Sequence, residues 1–93
     1  YLEIIKGEMV GKIFYINGEA LIGRSDECEI EVNDLEVSRR HFRLFVENNR
    51  WFVQDLESTN GTYVNKLRID KYMINPGDKI KVGQTIFRFN VEK

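Results

Sequence analysis

The sequence predicts an all-β domain, a sandwich or a barrel, and three observations carry that reading. Short runs rich in β-branched and aromatic residues recur from one end of the 93 residues to the other, Lys12 to Ile16 and Thr85 to Val91 among them. Turn-forming residues separate these runs: Gly7, Gly11, Asn17-Gly18, Asn48-Asn49 and Pro76-Gly77-Asp78. No stretch shows the apolar repeat of an amphipathic helix.

Taken in order, Tyr1 to Lys6 and Lys12 to Ile16 are strand-like, and Gly7 and Gly11 bracket their link, which predicts a first hairpin. Asn17-Gly18 is the strongest two-residue hairpin signal in the chain and predicts a tight turn into a strand over Glu19 to Gly23. Arg24 then stands at a strand end. From Ser25 to Val37 acids alternate with apolar residues; Cys28, Ile30 and Val32, spaced by two, put one face of a short strand in the core and leave the acids solvated.

His41 to Glu47 and Arg50 to Leu56 make the clearest hairpin, with Asn48-Asn49 at its turn. Phe42, Leu44 and Val46 share one face, as do Trp51 and Val53. Apolar residues on both faces mark central strands of a two-layer structure. The polar stretch Leu56 to Asn65 reads as a loop, followed by short strands at Leu67 to Ile69 and Tyr72 to Ile74. Pro76-Gly77-Asp78 turns the chain into Lys79 to Val82, with Ile80 and Val82 inward, and a last strand runs from Thr85 to Val91 with Phe87, Phe89 and Val91 on one side.

Composition narrows the function. The length allows one domain with a core, residues 1–93, but no separate catalytic domain. Apolar residues at 42% and aromatics at 12% exclude a disordered chain. Fourteen basic residues against fifteen acidic ones leave a net charge of -1, so no global field draws the domain to nucleic acid or to an anionic membrane. Any anion site is local. One cysteine, Cys28, and one histidine, His41, exclude a disulfide framework and a cysteine/histidine zinc site, and no cofactor is called for; a reducing, cytoplasmic setting is expected. No apolar run approaches the roughly 20 residues that span a bilayer. The chain starts at Tyr1, already in strand-like sequence, and is expected to be a segment of a longer protein.

Three polar clusters fall at strand or turn boundaries. Arg24 offers a planar fork of donors that matches phosphate or carboxylate. Ser38 and Thr59 add hydroxyls, Arg39 and Arg40 add charge, and Asn60 brings an amide that donates and accepts, which suits a peptide backbone. Together they describe a shallow anion site beside a backbone clamp. Each member also has a bland reading: Ser38 bonded to its own turn, His41 a satisfied histidine at a strand start, Asn60-Gly61 a simple turn.

In order, Gly23-Arg24, Ser38-Arg39-Arg40-His41, then Ser58-Thr59-Asn60-Gly61-Thr62 with Asn65 resemble the signature of the forkhead-associated (FHA) domain family. Pro76-Gly77-Asp78 ahead of Ile80-Lys81-Val82-Gly83 extends the likeness over nearly the whole chain. The resemblance implies a two-sheet sandwich of about eleven short, mostly antiparallel strands with binding loops at one end. It also implies a partner, a protein or peptide carrying phosphothreonine. Carried over by position, Arg24, Ser38, Arg39 and Thr59 contact the phosphate and Asn60 holds the peptide main chain. Gly23, His41, Gly61, Thr62 and Asn65 support the loops. No catalytic residue, metal, nucleic acid or membrane is implied, and the isolated domain is expected to be monomeric.

Rival readings are weaker. Ser38, His41 and Asp55 are the residue types of a hydrolytic triad, but no Gly-x-Ser-x-Gly elbow accompanies them. Arg24, Arg39, Arg40 and Arg43 could face a nucleic-acid backbone, against which the balanced charge argues. The remaining alternative is a phosphate-independent interaction or dimerisation domain that uses a sheet face. The acid-rich segment from Ser25 to Val37 and the segment from Leu56 to Tyr63 are expected to flank the residues after the phosphothreonine, which predicts a bias against Asp and Glu there.

Overall fold

A computed structural model describes residues 1–92. Eleven strands are present among them: β1 (Leu2–Lys6), β2 (Ile13–Phe14), β3 (Glu19–Gly23), β4 (Ile30–Glu31), β5 (Phe42–Glu47), β6 (Arg50–Asp55), β7 (Thr62–Val64), β8 (Leu67–Ile69), β9 (Lys71–Met73), β10 (Lys79–Val82) and β11 (Thr85–Phe89). They form a sandwich of two sheets, one ordered β2-β1-β11-β10-β7-β8 and the other β4-β3-β5-β6-β9. Every recorded strand pair is antiparallel except β3 with β4. The choice left open between sandwich and barrel falls to the sandwich.

Period-two alternation builds the core between the layers. Leu2 and Ile4 of β1, Ile80 and Val82 of β10, and Phe87 and Phe89 of β11 point inward from one sheet; Ala20, Ile22, Phe42, Leu44 and Val53 point inward from the other. Phe42 meets Phe87 edge-on across the layers, with ring centroids 6.0 Å apart, and Trp51 covers Phe89 at 5.8 Å. Each such buried aromatic contributes about 2 to 3 kcal/mol from area alone, enough to fix the register of its strand.

The hairpin around Asn48-Asn49 forms as expected. Both residues take positive φ, 54° and 63°, the conformation a two-residue turn of the favoured hand requires. β1 and β2 also pair, Leu2 with Phe14 and Glu3 with Ile13. On β5 the predicted face holds for Phe42 and Leu44, whereas Val46 is 41% exposed near the strand end. Phe45, on the opposite face, is buried instead, because Phe52 stacks on it and the Arg43 guanidinium lies 3.9 Å from its ring centre.

Two expectations need correction. Asn17-Gly18 does not close a hairpin: β2 lies in the six-stranded sheet and β3 in the five-stranded one, so the bend, with Gly18 at φ 86°, carries the chain between layers. Nor is Leu56 to Asn65 all loop. Thr62–Val64 is a strand, held by β8 on one side and β10 on the other, with Thr62 and Val64 buried.

Candidate functional site

β3, β5 and β6 place three loops at one end of the sandwich. The segment Ser38 to His41 runs against the end of β3. His41 N–H donates to the Ile22 carbonyl at 2.9 Å, Arg24 N–H to the Ser38 carbonyl at 3.0 Å and Ser25 N–H to the Arg39 carbonyl at 3.0 Å. This approach requires a glycine at 23. A β-carbon there would stand 2.2 Å from the Arg39 carbonyl oxygen, a distance no side chain permits.

The loop after β6 reaches the same corner. Thr59 N–H donates to Ser38 Oγ at 3.0 Å, which leaves the Ser38 hydroxyl proton free to donate outward. Asn60 Nδ2 donates to the Glu36 carbonyl at 2.9 Å. Arg24 spends its Nε on the Val37 carbonyl, 3.0 Å away, so the chain beneath it fixes the guanidinium while its terminal nitrogens stay available. Arg24, Arg39 and Arg40 are exposed. Among the described residues the ion pairs join Arg43 to Glu19 and Lys71 to Glu47, and neither involves these three arginines. An exposed cationic corner with hydroxyl donors can take a dianionic group.

Beneath the corner, His41 ties two loops together. The ring is fully buried: Nδ1 accepts from Ser38 N–H at 3.0 Å, and Nε2, which therefore carries the proton, donates to the Gly61 carbonyl at 2.8 Å. Neither nitrogen reaches a serine hydroxyl, so Ser38, His41 and Asp55 do not form a proton relay. Burial lowers the imidazole pKa below its ordinary value; the Gly61 bond and the Asp55 and Asp34 carboxylates raise it, but by less. The unfolded chain therefore binds a proton that the folded domain refuses, and stability falls as pH drops below about 6.5. Denaturant midpoints measured between pH 8 and pH 5.5 should decline through that window in the native domain. A His41→Asn variant should be weaker throughout and show a flatter profile.

Asp55 braces the same loop. Its carboxylate accepts from Ser58 Oγ at 2.6 Å, Thr62 Oγ1 at 2.6 Å and Ser58 N–H at 3.2 Å. Burial by itself would raise its pKa, but the bonds from Ser58 and Thr62 outweigh it and hold the carboxyl below its ordinary value. Its stabilisation is present above the ordinary carboxylate pKa and fades as pH falls through the folded value. Asp55→Asn, which presents an N–H₂ where an acceptor is needed, is expected to cost about 2 kcal/mol, measured by urea unfolding. Ser58 Oγ also accepts from Gly61 N–H at 3.0 Å, and Gly61 takes φ 89°, a value that favours glycine.

Sequence reasoning missed part of this scaffold. Asp34 and Glu36 read as solvated acids, yet Asp34 Oδ2 accepts from Gln84 N–H at 2.8 Å and Thr85 Oγ1 at 3.0 Å, and Glu36 Oε2 accepts from Gln84 Nε2 at 2.8 Å. These bonds tie the loop before Ser38 to the β10–β11 turn. Ser58 and Asp55 also lie outside the expected supports, although the Ser58-x-x-Gly61 spacing is that of a side-chain-closed turn. Asn65 is not at this end. It sits in the β7–β8 turn at φ 48°, donating to Asp78 Oδ1 at 3.0 Å and accepting from Lys79 N–H at 3.1 Å, and so braces the opposite pole.

An all-β sandwich that presents a braced, arginine-flanked loop end has the architecture on which recognition loops are commonly set. The chain belongs to the forkhead-associated family: the FHA domain model matches residues 20–83. It is 34% identical over 87 residues to the FHA domain-containing protein FhaB of Mycobacterium tuberculosis, covering 91% of this chain and 56% of that protein. The chain thus spans about half the length of that curated relative. An FHA domain solved for its phosphothreonine-dependent interactions superposes with a TM-score of 0.88 at 27% identity, covering 99% of this chain and 95% of that one. Mycobacterium tuberculosis EmbR, in complex with a low-affinity phosphopeptide, superposes at 0.89 and 28% identity over 97% of this chain and 24% of its own. The family is one of recognition modules.

Proposed function

We propose that this domain recognises phosphothreonine in a partner protein and serves as a docking module in signalling. The observation that carries the reading is the meeting of Arg24, Ser38 and Thr59 at one exposed corner, joined by the Thr59 N–H to Ser38 Oγ bond. In this reading Arg24, Ser38, Arg39 and Thr59 bind the phosphate and Asn60 holds the peptide main chain. Gly23, His41, Gly61 and Thr62 keep the loops in place. EmbR in complex with a phosphopeptide and the FHA domain solved for its phosphothreonine-dependent interactions support it, as does the fit of the residue types to the ligand.

The energetics suit a reversible switch. A phosphothreonine brings close to two negative charges and three acceptor oxygens, and each charge-assisted bond is worth about 1.5 to 3 kcal/mol. After the cost of ordering a flexible peptide, several such bonds leave a Kd on the order of micromolar, about -8 kcal/mol. In this reading the domain acts without catalysis or cofactor, as a monomer in a reducing, cytoplasmic setting.

A fluorescence or calorimetric titration with a mixed-sequence phosphothreonine peptide pool tests this, with phosphoserine and unphosphorylated pools alongside. Binding confined to phosphothreonine is expected. Equal binding of the unphosphorylated pool would overturn the reading.

A further inference from the structure

The charges of this domain are sorted by face. On β10 and β11 the inward Ile80, Val82 and Phe87 leave Lys79, Lys81, Ile86 and Arg88 on the outer side of the six-stranded sheet. Lys79 stands opposite Arg88, Lys81 faces Ile86 on one side and Tyr63 on the other, Tyr63 faces Arg68, and Ile86 faces Lys6. Lys66, in the β7–β8 turn, lines a shallow groove with Lys79, Lys81 and Ile86. Against these six cations the ladder sets one acid, Glu3, opposite Arg88. None of the six enters an ion pair among the described residues. Most acids lie elsewhere: from Ser25 to Val37 there are six and no lysine or arginine, while Asp78, next to Lys79 at the edge of the groove, accepts from Asn65 Nδ2 at 3.0 Å and from Asn75 N–H at 2.9 Å.

A face this basic on a chain of net charge -1 selects for a complementary surface. Its cations repeat about every 7 Å along a strand and about 4.8 Å between strands, spacings that carboxylates on an extended polypeptide can match. Single-stranded nucleic acid is a poorer fit, because Tyr63 is the single aromatic among these residues and a base-stacking platform needs several, and the domain's net charge of -1 opposes a duplex. A bilayer is poorer too, since Ile86 and Tyr63 are half-buried between the cations rather than protruding. The face also adjoins the loop end. A β-carbon at Gly61 would lie 2.8 Å from Arg68 Nε, so the Arg68 side chain covers the residue after Asn60.

We propose that this outer sheet face is a second docking surface, which takes an acidic segment of the same partner whose phosphothreonine is held at the loop end. The inference rests on the phosphothreonine reading for the identity of the partner. It is compatible with a bias against acids beside the phosphothreonine, where the acid-rich Ser25 to Val37 segment lies, because the attraction acts one strand length further on. That span is about 13 Å, which a flexible spacer of about eight residues covers.

The test compares a short phosphothreonine peptide with peptides extended, at either end, by an eight-residue Gly/Ser spacer and six glutamates. In low salt one extended peptide should bind at least about ten-fold more tightly than the short one, through effective concentration. The gain should vanish in a Lys66→Glu, Lys79→Glu, Lys81→Glu variant and shrink steeply with added salt, while the short peptide binds variant and native alike. No gain, or a gain that survives the variant, overturns the proposal. If the short peptide fails to bind, the phosphothreonine reading falls, and the face is judged by an unphosphorylated hexaglutamate peptide. Amide shifts at Lys79, Lys81 and Arg88 would uphold a surface for acidic polypeptide; their absence would sink it. Tighter binding of duplex DNA or phosphatidylserine vesicles than of hexaglutamate, abolished by the same variant, would reassign the face and also overturn the proposal.

Discussion

Arg24→Ala is expected to weaken binding of a phosphothreonine peptide at least about 100-fold while leaving the fold in place, because it deletes charge-assisted bonds worth about 1.5 to 3 kcal/mol each. The fold survives because the backbone contact that positions residue 24, its N–H to the Ser38 carbonyl at 3.0 Å, does not depend on the side chain. The lost structural bond, Nε to the Val37 carbonyl, sits at an exposed residue and should cost about 1 kcal/mol or less. Arg24→Lys should fall between, since an ammonium keeps the charge but lacks the fork that spans a carbonyl and an anion together. Anisotropy titrations beside thermal melts separate the two effects. An affinity unchanged in Arg24→Ala would remove the phosphate site from this corner.

Gly23→Ala should have the largest effect on stability. Its new methyl would meet the Arg39 carbonyl oxygen at 2.2 Å, the Arg39 carbonyl carbon at 2.8 Å and the Ser38 carbonyl oxygen at 3.0 Å. All three are backbone atoms, so no side chain can swing aside. The Ser38 to His41 segment must shift, breaking its bonds to Arg24 and Ser25 and the 3.3 Å contact from Cys28 Sγ to the Arg39 carbonyl. We expect a loss of about 3 kcal/mol. In a domain this size that corresponds to a Tm lowered by about 12 to 24 °C. Phosphopeptide binding should go with it, because Ser38 and Arg39 leave the corner. Gly18→Ala is the control. Nothing lies within 4 Å of its β-carbon position, and only its φ of 86° opposes a side chain, for about 1 kcal/mol. Equal melting of the two variants would disprove the role assigned to close approach.

What the sequence revealed follows from the range of the forces involved. Hairpins and strand faces are local: Asn48-Asn49 accepts positive φ by its own chemistry, and the alternation of Ile80 with Val82 or Phe87 with Phe89 decides burial wherever the strand lies. The three polar motifs were legible for a similar reason, since each is a short run whose residue types fit an anion or a turn. The same reasoning failed where local preference left two outcomes open. Asn17-Gly18 favours a bend, and a bend serves a hairpin and a passage between layers equally well; the pairing of β2 with β1 and of β3 with β5 settled it. Thr62 to Val64 has strand-forming residue types but is only three residues long at the end of a polar run, and it becomes a strand because β8 and β10 flank it.

Local residue patterns are thus enough for an all-β domain and for the order of three motifs that resemble one family. The side chains those motifs meet depend on how the two sheets pack. Asp34 bonds residues 50 and 51 positions away, Asn60 reaches a carbonyl 24 positions back, and Asn65 turns to the pole opposite the other motif residues. Such bonds have no local signature, because their partners become neighbours only after the two sheets have packed. The basic outer face is of the same kind: its six cations come from four strands and a turn, and they become neighbours only once β1, β11, β10 and β8 lie in one sheet.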